Sequence, residues 1–89
     1  MYLFLGQECV VSSRDVIGIF DLDNASTSRV TKSYLAKAQR DGRIIEVATD
    51  IPKSFVVCEH KGETRCYLSQ ISPSTLRKRA FYIKEIANL

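Results

Sequence analysis

The chain has 89 residues, of which 45% are hydrophobic and 26% charged, and its formal net charge is +3. This length allows one domain with a single small core, spanning residues 1–89, and excludes a large two-lobed enzyme. No apolar run approaches the ~20 residues of a membrane span, so we expect a cytoplasmic protein with no membrane partner. Three cysteines are too few for a disulfide-stapled secreted fold.

The positive charge is concentrated in two blocks. Residues 25–45 carry five basic side chains against one acidic side chain, and residues 72–89 carry four against one. Residues 1–24 have the opposite balance, with one arginine against four carboxylates. A modest net charge therefore coexists with strongly basic segments, an arrangement that suits binding to a polyanion.

Six short runs rich in β-branched and aromatic residues predict strands, in two groups of three. The first group is expected to form a small antiparallel meander. The last two runs are expected to pair as a hairpin across residues 60–63. The six runs are residues 2–5, 9–11, 16–20, 44–47, 55–58 and 64–71.

Two helices complete the predicted architecture. Apolar residues recur at helical spacing from Val30 to Ala38, and Gly42 is a natural helix stop. Near the C-terminus, Ser72 is a suitable N-cap, and Pro73 suits the first helical position. The sequence therefore predicts an α+β domain in the order β-β-β-α-β-β-β-α, with a small antiparallel sheet of about six short strands.

The first predicted helix has a basic face opposite its apolar stripe. A solvated surface is the ordinary interpretation of such a face, but solvated faces usually mix charges of both signs. Here the only carboxylate is Asp41 at the helix end. The four cations on this face are Arg29, Lys32, Lys37 and Arg40.

The second predicted helix is apolar on more than one side. Leu76, Ala80 and Ile83 form one stripe, whereas Phe81 and Tyr82 lie away from it. A helix of this kind needs two surfaces to bury against. The second surface belongs either to another copy of the chain or to a groove in the same domain.

The sequence offers little for catalysis or metal binding. The sole histidine, His60, lies in a predicted turn, and no glycine-rich phosphate loop is present, so we expect no enzyme activity, cofactor or small-molecule substrate. Cys9, Cys58, His60 and Cys66 lack the paired spacing of structural zinc sites, and we expect no metal. The cysteines are interpreted as small buried hydrophobic residues. A Cys58–Cys66 disulfide across the hairpin is the alternative, which a reducing cytoplasm disfavours.

Four segments resemble one known family. Residues 1–6, 14–23, 52–57 and 67–76 are similar to the RemB branch of the Rem-type extracellular-matrix regulators, which are small bacterial proteins, and the resemblance covers about residues 1–80. Members of the related RemA branch are cytoplasmic DNA-binding activators of biofilm-matrix operons that assemble into ring-like oligomers with a basic rim. The resemblance therefore implies a transcriptional regulator that binds double-stranded DNA as a homo-oligomer.

The resemblance also suggests positions for phosphate contacts. In the RemA branch, DNA-contacting arginines lie in a loop between early strands and in an Arg-Arg pair before the strand that corresponds here to residues 55–58. Arg14 falls at or next to the first position, whereas Ile51 and Pro52 replace the pair and leave Lys53 nearby. We predict phosphate contacts from Arg14, Arg43 and Lys53, with a second patch formed by Arg29, Lys32 and Arg40.

The alternative function is an oligomeric protein–protein interaction module that does not bind DNA itself. Its contact surface would include Phe81 and Tyr82. DNA binding at low salt distinguishes the two interpretations.

Overall fold

The computed structural model describes residues 1–22 and 29–87, with side chains up to residue 80. Within these residues, no helix has the length and apolarity needed to cross a membrane. The predicted element order and the α+β class are confirmed, and the part of the chain that the structure describes adds one 3₁₀ turn at Ser13–Asp15. The strands are β1 (Tyr2–Gly6), β2 (Cys9–Ser12), β3 (Val16–Asp21), β4 (Ile44–Glu46), β5 (Ser54–His60) and β6 (Glu63–Ser69), and the helices are α1 (Arg29–Arg40) and α2 (Pro73–Ala87).

The six strands form two sheets, where the sequence predicted one. Strands β1 and β2 form an antiparallel hairpin, and the other four form a sheet in the order β3-β5-β6-β4. All neighbouring strands are antiparallel except β4 and β6, which are parallel. The parallel pair arises because α1 returns the chain along the sheet, so that β4 begins at the end where β3 began.

Strand β5 lies in the middle of the fold and is buried on both faces, since every residue from 54 to 58 is buried. Alternate side chains of a strand point to opposite faces. Phe55 and Val57 belong to one core cluster, which they share with Tyr34 and Leu35 of α1. Val56 and Cys58 belong to the other cluster, with residues from the β1–β2 hairpin and α2, namely Leu3, Leu5, Val11 and Leu76. The domain therefore has three layers, with α1 on one face of the sheet and the hairpin and α2 on the other.

Both hairpins close through two-residue turns. Lys61 and Gly62 have φ angles of 51° and 82°, and Gln7 and Glu8 have φ angles of 47° and 64°. Positive φ at both central residues matches the right-handed twist of the flanking strands. The predicted β5–β6 hairpin is confirmed, with a tighter turn than the four residues expected.

The predicted helix boundaries follow from local hydrogen bonds. Gly42, with φ of 70°, terminates α1 because its left-handed conformation lets the Arg43 N–H donate to the Ala38 carbonyl at 2.9 Å. At the start of α2, Ser72 Oγ accepts a hydrogen bond from the Thr75 N–H at 3.3 Å. Both signals read from the sequence are confirmed.

Two fully buried serines join the layers. Ser69 Oγ donates to the Leu5 carbonyl at 2.7 Å and accepts from the Ile71 N–H at 3.1 Å. Ser54 Oγ donates to the Ile71 carbonyl at 2.8 Å. These bonds connect β1 and the β6–α2 junction to the central strands, and they satisfy backbone groups that water does not reach.

We predict that Ser69→Ala lowers the free energy of unfolding by about 1–3 kcal/mol, because it leaves the Leu5 carbonyl and the Ile71 N–H without their buried partner. Urea denaturation followed by circular dichroism measures the change. Ser33→Ala on the exposed face of α1 is the matched control, with an expected change within about 0.5 kcal/mol. An equally small effect of Ser69→Ala would contradict the structural role of this hydroxyl.

Candidate nucleic-acid interface

The strand directions divide the loops between two ends of the sheet. Strands β3, β4 and β6 run in one direction and β5 runs in the other. The 3₁₀ turn, the loop before β4 and the β5–β6 turn therefore lie together at one end, here called the Arg14 end. The loop before β5 lies at the opposite end, here called the Lys53 end.

The structure separates the three residues of the first predicted patch. Arg14 is exposed in the 3₁₀ turn, and Arg43 lies at the same end on the far side of the sheet, three strand spacings or about 14 Å away. Lys53 lies at the other end, where its N–H donates to the Ser69 carbonyl at 2.8 Å. The length of β3 separates Arg14 from Lys53 by about 17 Å. Arg14, Arg43 and Lys53 therefore do not form one cluster within a protomer.

Helix α1 spans the distance between the two ends. Its 12 residues extend about 18 Å. Val30 lines a groove with Phe20, whose strand partner Phe55 lies two residues after Lys53, so α1 begins at the Lys53 end. The helix finishes beside Arg43, at the Arg14 end. Helix α1, which carries the second predicted patch, therefore runs from the end that holds Lys53 to the end that holds Arg43, while Arg14 lies apart on the β3 side.

No carboxylate among the described residues compensates the charges on the basic face of α1. The helix contains no acidic residue, and its four cations are exposed. Among the described residues, no carboxylate lies within the 4.0 Å of an ion pair from any of them. Lys37, which was not among the predicted contacts, lies on this face with Arg29, Lys32 and Arg40.

Other arginines are already engaged within the domain. Arg43 Nη2 lies 3.2 Å from Asp41 Oδ2, and among the described residues its buried Nε has no hydrogen-bond partner. Arg65 Nη2 lies 3.3 Å from Glu63 Oε2, and Arg77 Nη2 donates to the Ile19 carbonyl at 2.8 Å. Of the six predicted contacts, Arg43 is thus the one whose charge is compensated by a described carboxylate.

A hydrogen bond joins His60 to the turn that carries Arg14. His60 Nδ1 lies 3.0 Å from Asp15 Oδ2, which connects the β5–β6 turn to the 3₁₀ turn. This interaction engages the carboxylate beside Arg14 and leaves the Arg14 guanidinium without a described partner. Sequence reasoning missed the pair because 45 residues separate its members, and no local signal indicates that they meet.

Cys58 and Cys66 lie on opposite faces of the four-stranded sheet. Cys58 is opposite Arg65 and Cys66 is opposite Val57, so adjacent register positions direct the two side chains to opposite faces. Cys58 accordingly belongs to the hairpin-side core and Cys66 to the α1-side core. This register excludes the Cys58–Cys66 disulfide considered from the sequence. Among the described residues, no group of three or more His, Cys, Asp or Glu side chains is placed to hold a metal ion.

Burial makes two of these thiols weak acids. Burial, with a smaller contribution from Asp15, raises the pKa of Cys58 to about 11. Burial also raises the pKa of Cys66 to about 11, although Arg43 opposes the shift. Both thiols therefore stay protonated and unreactive near neutral pH.

These pKa shifts predict a loss of stability at alkaline pH. The folded state holds the two thiol protons at pH values where the unfolded chain, with a pKa near 9.0, releases them. Their contribution is fully present below pH 9.0 and is lost as the pH rises through about 11. The expected loss in unfolding free energy is about 2 kcal/mol per thiol.

Urea denaturation between pH 8 and 11 measures this loss, and the Cys58→Ala/Cys66→Ala double variant serves as the control for other groups that titrate there. The variant is expected to be less stable at pH 8 but to lose less stability between pH 9.0 and 11. Equal slopes for the two proteins would contradict the burial of the thiols.

Comparison with known proteins agrees with the resemblance. Residues 3–80 match the family model described as RemA-like, extracellular matrix regulatory protein A-like. The chain is 38% identical over 86 residues to extracellular matrix regulatory protein B of Bacillus subtilis (strain 168), an alignment that covers 97% of this chain and 98% of that protein. The family's name describes regulators. The chain therefore belongs to the RemA-like family of extracellular matrix regulatory proteins.

Proposed function

We propose that this regulator is a cytoplasmic, DNA-binding transcriptional regulator of extracellular-matrix and biofilm genes that acts as a homo-oligomer. The observation that carries the proposal is the exposed basic face of α1, which no described carboxylate compensates and which is formed by Arg29, Lys32, Lys37 and Arg40. Membership of a family of matrix regulators supports the regulatory part. A regulator of this kind can control the transcription of its target genes directly by binding their DNA.

The mechanism is neutralisation of the phosphate backbone. Cations that replace condensed counterions supply most sequence-independent affinity for duplex DNA. Lys53 lies at the end of the sheet where α1 begins, and Arg14 is an exposed cation on the β3 side of the other end. Arg43 lies where α1 finishes, and it would have to contact a phosphate while paired with Asp41. Modules that read bases place three or four side chains in one groove. Cations spread over both ends of the sheet favour backbone contact instead.

Association of several copies makes these contacts effective. A single protomer offers a handful of cations over about 18 Å. Fixing several protomers in one assembly converts later contacts into intramolecular ones, so that weak individual contacts add. An oligomer therefore binds a long duplex much more tightly than one copy does.

The direct test is removal of charge from α1. For the Lys32→Gln/Arg40→Gln double variant, we expect weaker binding to duplex DNA of random sequence, because two phosphate contacts are lost. Fluorescence anisotropy between about 50 and about 200 mM salt should show a salt slope smaller by about 0.9 for each lost contact.

The matched control is Lys61→Gln/Arg65→Gln, which removes the same charge from the β5–β6 hairpin, where Arg65 of β6 is paired with Glu63. The control is expected to retain most of the wild-type salt slope. An equal loss for both double variants would indicate a response to net charge alone and would contradict the role of the α1 face.

A second test concerns the two loop cations. Arg14→Ala and Lys53→Ala are each expected to weaken DNA binding, and their effects should add within about 0.5 kcal/mol, because residues this far apart rarely couple. A double-mutant cycle in the same binding assay measures the coupling. A double variant that binds as tightly as the wild type would exclude both residues from the interface.

The alternative is an oligomeric protein-interaction module without DNA binding. Its predicted contact residues, Phe81 and Tyr82, have side chains that lie outside the described residues. An assembly that leaves random DNA unshifted at low salt would support this alternative over the proposed function.

A further inference from the structure

Two exposed apolar surfaces on the described domain take no part in the DNA interface proposed above. The first, here called the hairpin face, consists of Tyr2, Phe4 and Val10 on the outside of the β1–β2 hairpin. The second, here called the β3 groove, is a cleft of about 340 Å³ between β3 and α1. It is lined mainly by Ile17, Phe20, Val30, Tyr34, Phe55 and Val57.

The hairpin face results from strand alternation. Leu3, Leu5 and Val11 point into the core. Their neighbours along the strands, Tyr2, Phe4 and Val10, therefore point outward. Tyr2 is 70% exposed and Val10 is 53% exposed. An exposed strand surface is normally polar, and large side chains here mark a surface for another molecule.

The β3 groove is formed before any partner binds. The Phe20 ring stacks on Phe55 with centroids 4.8 Å apart and an interplanar angle of 17°. Gly18 makes room for this ring, since a Cβ at that position would lie 2.6 Å from it. A β-bulge between Val16 and Gly18 leaves Ile17 unpaired and 61% exposed at the rim. On the helix side of the groove, Val30 is 79% exposed.

The edge of β3 is unsuited to strand addition. Arg77 donates to the carbonyl of Ile19, which is directed away from β5, and a side chain over a strand edge blocks pairing with another strand. An occupant of the groove therefore contacts it through side chains.

The two surfaces are also complementary in charge. The β1–β2 hairpin, residues 2–12, carries one charged side chain, the exposed carboxylate of Glu8 at its tip. Helix α1 carries only positive charge, and Lys37 lies two turns after Val30 on the same stripe. The single negative charge of the hairpin of one copy is therefore compatible with the positive charge of α1 beside the β3 groove of another.

We propose that the hairpin face of one copy docks into the β3 groove of a second copy. The surfaces lie on opposite layers of the domain, so the contact joins different patches of the two protomers and leaves one of each free for further copies. The large exposed side chains of the two patches, with Tyr2 70% and Val30 79% exposed, offer the kind of apolar surface that the core of a protein–protein interface buries. The inference rests on the homo-oligomer of the proposed function and names its contact.

The test uses one charged substitution on each surface. Val10→Glu places a carboxylate on the hairpin face, and Val30→Glu places one at the rim of the groove, where the helix N-terminus tolerates it. Both positions are exposed, so folding is retained and can be verified by circular dichroism. Each variant is expected to associate with itself about 100-fold more weakly than the wild type, as measured by analytical ultracentrifugation.

Mixing the two variants gives the decisive result. Val10→Glu retains an intact groove and Val30→Glu retains an intact hairpin face, so an equimolar mixture should form a one-to-one dimer that grows no further. Ile51→Glu, at an 80% exposed aliphatic residue outside both surfaces, is the control and should associate like the wild type.

Three outcomes would overturn the proposal in different ways. If the wild type is oligomeric and both variants remain so, the contact lies elsewhere and only this inference fails. If one variant dissociates while the other associates normally, a single patch pairs with itself. If the wild type is monomeric at all concentrations, both this contact and the homo-oligomer of the proposed function are wrong. The DNA-binding part of the proposed function is tested separately by the anisotropy assay.

Discussion

The burial of β5 on both faces is the constraint on which the rest of this domain depends. A strand with apolar side chains on both faces needs another layer packed against each face, and a chain of 89 residues has few elements that can form these layers. Helix α1 covers Phe55 and Val57, while the β1–β2 hairpin and α2 cover Val56 and Cys58. The outer surfaces of these covering layers are therefore the surfaces that the protein presents to its surroundings, and they differ: α1 is basic and the hairpin is apolar.

Helix α1 combines a structural role with the proposed functional one. Its buried side completes one half of the core, and its length connects both ends of the sheet. Because it contains no carboxylate, none of its four cations has an acidic partner on the helix itself. Elsewhere, carboxylates engage nearby side chains, as Asp41 does with Arg43 and Glu63 with Arg65. The proposed DNA interface thus depends on where acidic residues are absent as much as on where basic ones occur.

The proposed contact between copies and the proposed DNA surface use different parts of the described domain. The hairpin face and the β3 groove are apolar, whereas the cations on the α1 face project into solvent. Lys37 lies where the two surfaces meet, since it shares the α1 face and follows Val30 along the rim of the groove. Assembly through the apolar surfaces would repeat the basic face at a regular interval, which is the arrangement that multivalent backbone binding requires.

Local features were predictable because a few neighbouring residues decide them. Gly42 ends α1 through its own positive φ, and Ser72 caps α2 through a bond to a residue three positions later. The strands and the β5–β6 turn were likewise read from short patterns of alternation and turn residues. The presence of a basic helical face was also predictable, since helical periodicity alone places those four cations together.

Sequence alone thus determined the order and type of the elements, the end of α1, the start of α2 and the basic face of α1, because backbone preference and periodicity act over a few residues. The tertiary structure decided which strands pair and which distant residues come into contact. It divided the strands between two sheets, joined His60 to Asp15, placed Arg14 and Lys53 at opposite ends and directed Cys58 and Cys66 to opposite faces. These relations depend on strand direction and register, which packing of the whole core selects and which no short segment encodes.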